Sequence, residues 1–285
     1  MLQEVLNIGA FQVEIPFNHP DSFQRWNAAI RGRRSRRRFA AKLVEPEAMA
    51  RLNALCAEFK PFPGVRAAVV TQSPEEVFKG AIGHYGKIKG APAFIAFLCE
   101  TSDPYCHEKA GYLGECIVLE ATALGLATCW VGGFFRPEAA AALAGAGKNE
   151  RVLAVTPIGY TPEEWSLEEK IMTGFGRNHR RKPLPDLVNG LPEGEWPTWV
   201  KAALEAARLA PSAMNRQPWR FFVESQNITV SVDNLRNTYN LSKRLDCGIA
   251  MLHAEVAACS HGVRGTWELL DPPGVARFLV SPGIL

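Results

Sequence analysis

Apolar positions along the chain change period several times, and each change marks an element. From Val44 to Phe59 the residues Met49, Leu52, Leu55, Cys56 and Phe59 recur at helical spacing, and Glu45-Pro46-Glu47 puts a proline and two acids in the first turn. Lys60-Pro61-Phe62-Pro63-Gly64 stops that helix, and Val65 to Val70 follows as a buried strand. Gly90-Ala91-Pro92 leads into Ala93 to Leu98, an apolar run of strand length. Gly111 to Leu126 is apolar nearly all round, through Tyr112, Leu113, Cys116, Ile117, Leu119 and Leu124, which predicts a central helix. Arg151 to Tyr160 is a strand entering a proline-containing turn. Trp165 to Glu195, rich in Gly, Pro and charge, is the expected linker. Beyond it, Trp196 to Ala210 followed by Arg220 to Val223 repeats the helix and strand of residues 45–70.

A second repeat is more specific. Gly111, Gly125 and Trp130 stand the same 137 residues before Gly248, Gly262 and Trp267. In both places an apolar helix runs into Gly and then a strand with Trp, as in a duplicated unit. The expected fold class is therefore α+β, with mixed sheets flanked by helices. It divides into tandem halves, 21–185 and a shortened 186–285, joined near residues 176–195.

Composition narrows the class. The 285 residues are 47% hydrophobic and 21% charged, which is ordinary globular composition, and the net charge of +3 demands no polyanionic partner. Seven cysteines, an odd number without C-x-x-C or zinc-ligand spacing, fit a reduced, cytoplasmic protein and no metal site. Met1 to Pro20 lacks the basic-then-apolar layout of a signal peptide. The long apolar run from Gly111 to Phe135 is broken by Glu115, Glu120 and several glycines, so no membrane span is expected.

Two stretches carry candidate chemistry. Six of the eight residues from Arg31 to Arg38 are arginine. Such a run is either a basic nucleic-acid patch or a phosphate site, since the planar guanidinium donates paired, charge-assisted hydrogen bonds. Phe39 returns the chain to an apolar environment that a solvated arm would not need. Far away, Pro211 ends a helix, leaving Ser212 and Asn215 in a turn whose hydroxyl, amide and backbone N–H groups can bind an anion; an empty helix-to-strand turn is the plain alternative. Asp246 and His253 could share a helix face, although a hydrogen-bonded structural histidine is the simpler reading. His84, His107 and His179 show no metal spacing, and Tyr85 and Lys87 are loop residues that could approach a ligand.

Four segments together are similar to the landmark motifs of the FMN-dependent nitroreductase family: Arg33-Arg34-Ser35-x-Arg37-x-Phe39, Gly125-Leu126-x-Thr128-Cys129-Trp130-Val131-Gly132-Gly133, Pro157-Ile158-Gly159-Tyr160 and Pro211-Ser212-x-x-Asn215-x-Gln217-Pro218-Trp219. Arg180-Arg181-Lys182-Pro183-Leu184 resembles the basic stretch that follows the Pro-Ile-Gly-Tyr segment in the family. The resemblance implies FMN at a dimer interface, hydride supply by NADH or NADPH, and a nitroaromatic, quinone or flavin as acceptor. It implies that Arg33 and Arg181 hold the FMN phosphate, that Arg34 is a further cofactor-binding residue and that Ser35 lies near the ribityl chain. Arg37 would face the pyrimidine edge, where reduced flavin gathers negative charge. Backbone groups around Gly132 and Gly133 would face the flavin edge, and Pro211, Ser212 and Asn215 would close the site. No protein side chain is implied as catalytic, since the flavin carries the chemistry.

The chain departs from that pattern. In family dimers the Pro-Ser turn and the Arg-Ser motif come from opposite subunits; here one chain carries both, one in each half. The first half has Lys60 to Gly64 where its own Pro-Ser turn would stand, and the second half lacks an Arg-Ser motif. One complete site and one FMN per chain are expected, in a monomeric pseudo-dimer or a homodimer of it. Two alternatives stay open: a flavin-binding protein with a degenerate substrate face, and a nucleic-acid-binding protein using Arg31 to Arg38.

Overall fold

The computed structural model describes residues 6–8, 11–13, 20–79, 88–162, 180–236 and 241–281. A short hairpin, β1 (Leu6–Ile8) and β2 (Phe11–Val13), precedes helix α1 (Pro20–Gly32). Then come α2 (Pro46–Glu58), β3 (Val65–Val70), α3 (Pro74–Phe78), β4 (Ala93–Glu100), α4 (Cys106–Ala123), β5 (Ala127–Thr128), α5 (Pro137–Leu143) and β6 (Glu150–Gly159). The second part holds β7 (Val188–Gly190), α6 (Thr198–Arg208), β8 (Trp219–Val223), β9 (Asn227–Val232), α7 (Lys243–Ser260), β10 (Gly265–Leu269) and β11 (Gly274–Val280). The fold is α+β, two sheets flanked by helices.

The two sheets share one order. The first runs β3-β4-β6-β5 and the second β7-β8-β9-β11-β10, so β8, β9, β11 and β10 stand where β3, β4, β6 and β5 stand. All of these pairings are antiparallel, and β7 adds one parallel edge strand to β8. Helices α4 and α7 begin and end with the same offset of 137 residues (106 to 243, 123 to 260). Their C-terminal turns close alike: Leu126 N–H donates to Ala121 O and Val263 N–H to Ala258 O.

These two helices cross at the centre, and glycine permits the crossing. A Cβ on Gly111 would lie 2.1 Å from the carbonyl oxygen of Leu245, and one on Gly248 would lie 2.0 Å from that of Glu108. The two contacts are equivalent, since 108 and 245 share the same offset. Backbone meets backbone on both sides of the crossing.

One hydrophobic core runs through both parts, joining Phe97, Leu113 and Ile117 to Trp219, Met251 and Trp267. A smaller cluster lies on the other face of the first sheet, where Val77 and Phe78 from α3 and Ala140 from α5 cover Phe94, Ala96 and Leu98. Strand β4 is thus buried on both faces, the physical reason for its unbroken apolar run. The charges inside α4 are satisfied: Glu120 accepts from Trp26 Nε1 (2.6 Å), Arg25 Nη2 (2.6 Å) and Arg51, and Glu108 is forked by Arg244.

Several expectations shift. The central helix starts at Cys106, five residues before the expected Gly111, and α1 was not foreseen at all. The expected linker is corrected for its described part, residues 180–195. Leu184 and Leu187 are buried, Val188 pairs with Phe221, and Lys182 N–H donates to Gln217 Oε1 (2.8 Å), so this stretch is the edge of the second sheet. Residues 165–179 of that linker, with His179, lie outside the described residues, as do His84, Tyr85 and Lys87.

One buried acid makes stability depend on pH. Glu255 accepts from Tyr112 Oη (2.8 Å) and Trp267 Nε1 (2.7 Å), and burial pushes its carboxyl from about 4.5 up to about 7 against those bonds. Between those values the folded chain holds a proton that the unfolded chain has released, so stability falls as pH rises through the window. Thermal melts from pH 5 to pH 8 should show a downward slope in Tm that Glu255→Gln flattens; equal slopes would contradict the assignment.

Candidate functional site

A cavity of about 370 Å³ opens between the two parts. Ser35, Arg37 and the loop Cys129 to Phe135 form its first-part wall. The turn Pro211 to Met214 with Arg216, and the start of α7 from Leu241 to Ile249, face them from the second.

The arginine run is not a solvated arm. After α1 it lies extended along the edge of the first sheet: Ser35 bridges Thr128, Arg36 N–H donates to Thr128 O (2.9 Å), and Phe39 N–H donates to Lys89 O (2.9 Å). Arg33, Arg36 and Phe39 are buried. This alternation turns Ser35 and Arg37 to the cavity, while Arg33, whose N–H still donates to Ala29 O at the end of α1 (2.8 Å), lies behind them. Arg34 folds back on its own backbone, donating to the carbonyls of Arg31 (2.8 Å) and Arg33 (2.7 Å).

Arg33 and Arg181 form the least balanced part of the site. Arg33 is 7% exposed, with one hydrogen bond to Ser35 Oγ at 3.4 Å and Glu115 at 3.9 Å. Arg181 donates from Nη1 to Asn215 Oδ1 (2.7 Å) and from Nη2 to Leu209 O (3.2 Å). The Nε of each is buried without a hydrogen-bond partner. Burial lowers the pKa of both; for Arg181 it falls to about 10, with Arg33, Arg208 and Arg34 adding like-charge repulsion. Buried cations that repel one another and leave donors unused are what a dianion would satisfy. Neither residue lines the cavity itself; both stand directly behind Ser35 and Asn215.

The turn that faces them is held in an unusual backbone. Met214, Asn215 and Gln217 have φ of 56°, 53° and 49°, the left-handed region that Asn tolerates and Met and Gln do not favour. Asp246 compensates: it accepts from Ala213 N–H (3.1 Å) and Arg216 Nε (2.6 Å), while Ser212 Oγ accepts from Gln217 N–H (3.0 Å). Burial pushes the Asp246 carboxyl up to about 6, and the Arg216 cation opposes that rise. Pro211 and Ser212 line the cavity, whereas Asn215 turns away to Arg181. Leu241 covers Gly132 and Gly133, lying 3.2 and 3.4 Å from where their Cβ atoms would be.

A buried network ties this wall to the rest. Glu115 accepts from Trp130 Nε1 (2.6 Å) and contacts His253 Nε2 (2.8 Å), whose Nδ1 meets Ala206 O (3.0 Å). His253 is therefore a structural histidine, while Asp246, seven residues before it, faces the cavity. Asp246, Arg216, His107, Arg151 and Leu241 were not singled out as cavity residues in the sequence. They come from four different segments and share no motif.

The opposite side of the crossing is filled. Residues 59–64 join α2 to β3 as 209–218 join α6 to β8, but Phe62 packs against Tyr112, ring centroids 5.3 Å apart. Lys109, the counterpart of Asp246 at the 137-residue offset, pairs with Asp103 (2.7 Å).

The chain matches the family model described as "Putative TM nitroreductase" over residues 27–258. It belongs to that family. Among solved structures it is similar to "a putative nitroreductase" of Thermotoga maritima, with TM-score 0.63, 20% identity, and coverage of 90% of this chain and 94% of that one. That likeness speaks for the fold. A nitroreductase with bound FMN from Bacteroides fragilis matches with TM-score 0.40 and 17% identity, over 50% of this chain and 91% of that one. A mutant FMN- and NADPH-dependent nitroreductase from Sphigopyxis sp. strain HMH matches with TM-score 0.46 and 16% identity, over 59% and 99%. No curated protein sequence matches the chain. All seven cysteines are buried and free, and no helix among the described residues is long and apolar enough to cross a membrane.

Proposed function

We propose that this nitroreductase-family chain is an FMN-dependent oxidoreductase that passes hydride from NADH or NADPH to a nitroaromatic, quinone or similar small acceptor. The observation that carries the reading is the buried, unbalanced pair Arg33 and Arg181 behind a cavity to which both halves contribute. Arg33 and Arg181 would hold the phosphate, with Arg34 beside them among the cofactor-binding residues and Asn215 fixing the Arg181 fork. Ser35 would meet the ribityl chain and Arg37 the pyrimidine edge. Gly132 and Gly133 would offer backbone groups to the ring, and Pro211 and Ser212 would close over it from the second half.

Bound there, FMN would supply two-electron chemistry, taking a hydride at N5 and giving it to the acceptor. The chain's own part is electrostatic and steric. Arg37 sets a fixed positive potential on one wall. Trp130, Leu241, Leu245 and Ile249 keep water from the apolar wall. No side chain needs to donate the acceptor's proton, which comes from water.

The same reading takes the chain as a fused pseudo-dimer of two nitroreductase-like halves, 21–185 and 186–285, with one FMN. The shared sheet order, the helix offset and the filled opposite side support it. It would work in the cytoplasm, as a monomer or a homodimer of this unit. The test is a visible spectrum after FMN is added and free flavin removed. A yellow protein that bleaches anaerobically with NADH or NADPH is expected. Yellow protein bleached by neither is a flavin binder without this activity, and colourless protein overturns the reading.

A further inference from the structure

Among the described residues, the cavity wall carries more cations than carboxylates. Arg37, Arg151 and Arg216 line it against a single carboxylate, Asp246, and Asp246 is bonded to Arg216 at 2.6 Å. With Arg37 assigned to the flavin edge, Arg151 is left over. Among the described residues it pairs with no carboxylate; it bonds the Cys106 thiol from Nη2 at 3.5 Å and also the neighbouring Cys99 thiol. The Cys99 hydrogen bond, together with the Arg151 cation, lowers the Cys106 thiol to about 6. Its neighbour Glu150 is held by Arg66 (2.6 Å).

Strand register places Arg151 well away from the Arg-Ser motif. Ser35 bridges Thr128, Thr128 pairs with Ile158, and Arg151 lies seven residues back along β6. At strand rise that is about 23 Å from Ser35, whereas Val131 bridges Val155, four residues or about 13 Å from Arg151, so Arg151 lies nearer the Gly132-Gly133 loop than the Arg-Ser motif. His107, in the first turn of α4, lines the same end. Burial, then Arg151 and Arg244, push its imidazole down to about 4, so it remains a neutral hydrogen-bonding group. The wall between the two ends is aromatic and aliphatic, with Trp130, Phe135 and Ile249.

We infer that Arg151 and His107 form a subsite for an anionic substituent, so that the preferred acceptor is a flat aromatic molecule carrying a carboxylate or similar group. The apolar wall takes the ring, and the Arg151 fork takes the anion. This rests on the oxidoreductase reading and adds the substrate class to it.

The test compares 4-nitrobenzoate with its neutral counterpart 4-nitrobenzamide on the FMN-supplemented chain. Affinity is measured by calorimetry on the oxidised protein, and kcat/KM by turnover. The acid should bind at least about tenfold tighter than the amide, the scale of one charge-assisted hydrogen bond. Arg151→Met should bring the ratio near one, and Arg151→Lys should keep part of it. A wild-type ratio near one, or a preference that Arg151→Met leaves intact, overturns the inference. So does an Arg151→Met effect confined to the KM of NADH or NADPH, which would assign the cation to the donor's phosphates. Failure of the chain to take up flavin would instead sink the oxidoreductase reading, so the two failures are distinguishable.

Discussion

Gly248→Val and Gly111→Val each yield a chain that does not reach the folded state. At both positions the atom displaced is a carbonyl oxygen of the facing helix, 2.0 and 2.1 Å from a new Cβ, and it cannot rotate away as a side chain could. The helices would have to separate, opening the core that runs between the sheets. Even Ala places one carbon in that space. Overpacking a tight core costs about 1–3 kcal/mol, and a backbone clash falls at the upper end or beyond. For a chain of this size each kcal/mol moves Tm by roughly 2–4 °C, so Gly111→Ala and Gly248→Ala should each melt about 10 °C lower. Gly194→Ala is the control, since nothing lies within 4 Å of its Cβ position. Circular-dichroism melts decide the matter; alanine variants at the crossing that melt with wild type would show that the helices are not held this closely.

Arg33→Met weakens FMN binding by about 30- to 150-fold while changing riboflavin binding by less than about threefold. Arg33 stands buried beside Ser35 with an unused Nε, and a phosphate would accept from it in a site shielded from solvent. A hydrogen bond between charged groups contributes about 2–3 kcal/mol, which sets the expected factor. Riboflavin lacks the phosphate, so it separates a phosphate contact from general damage to the cavity. Asn215→Ala should have a smaller effect in the same direction, because it frees the Arg181 fork rather than removing it. Flavin fluorescence titrations read all of these. Parallel losses for FMN and riboflavin would place Arg33 in a purely structural role.

How much of this was legible along the chain depended on how local each signal was. Strands β3 and β4 stood where apolar runs announced them; β4, buried on both faces, has no polar position before Glu100, and β3 has only Arg66, which Glu150 pairs. The paired helices announced themselves through a recurrent offset of Gly and Trp, since the crossing needs glycine on both sides. The start of α4 was hidden because Glu108 and Lys109 look like loop residues, yet both are buried on partners, Arg244 and Asp103, that lie elsewhere in the fold. Helix α1 was missed for the same reason: the indole of its Trp26 is satisfied by Glu120, far along the chain. Residues 180–195 resemble a linker in composition, but the charged ends of Arg181 and Lys182 are spent on the turn at 209–218.

The candidate site divides along the same line. The arginine run and the Pro-Ser-Asn turn have local chemistry, and the fold brings them to one cavity. Asp246, Arg216, His107 and Arg151 act only through long-range placement. Asp246 is recognisable as the clamp of the turn only when Ala213 and Arg216 are seen against α7. Arg151 is a surface-like arginine on a strand until the cavity's charges are compared.

The central claim, one flavin site made by two unequal halves of a single chain, is tested most directly by the stoichiometry of FMN binding. The purified protein is saturated with FMN, freed of excess, and its flavin absorbance is compared with the chain concentration from amino-acid analysis. One FMN per 285-residue chain is predicted. Two per chain would mean that the side filled by Phe62 and Lys109 also binds, and none would mean that the buried arginines serve another anion.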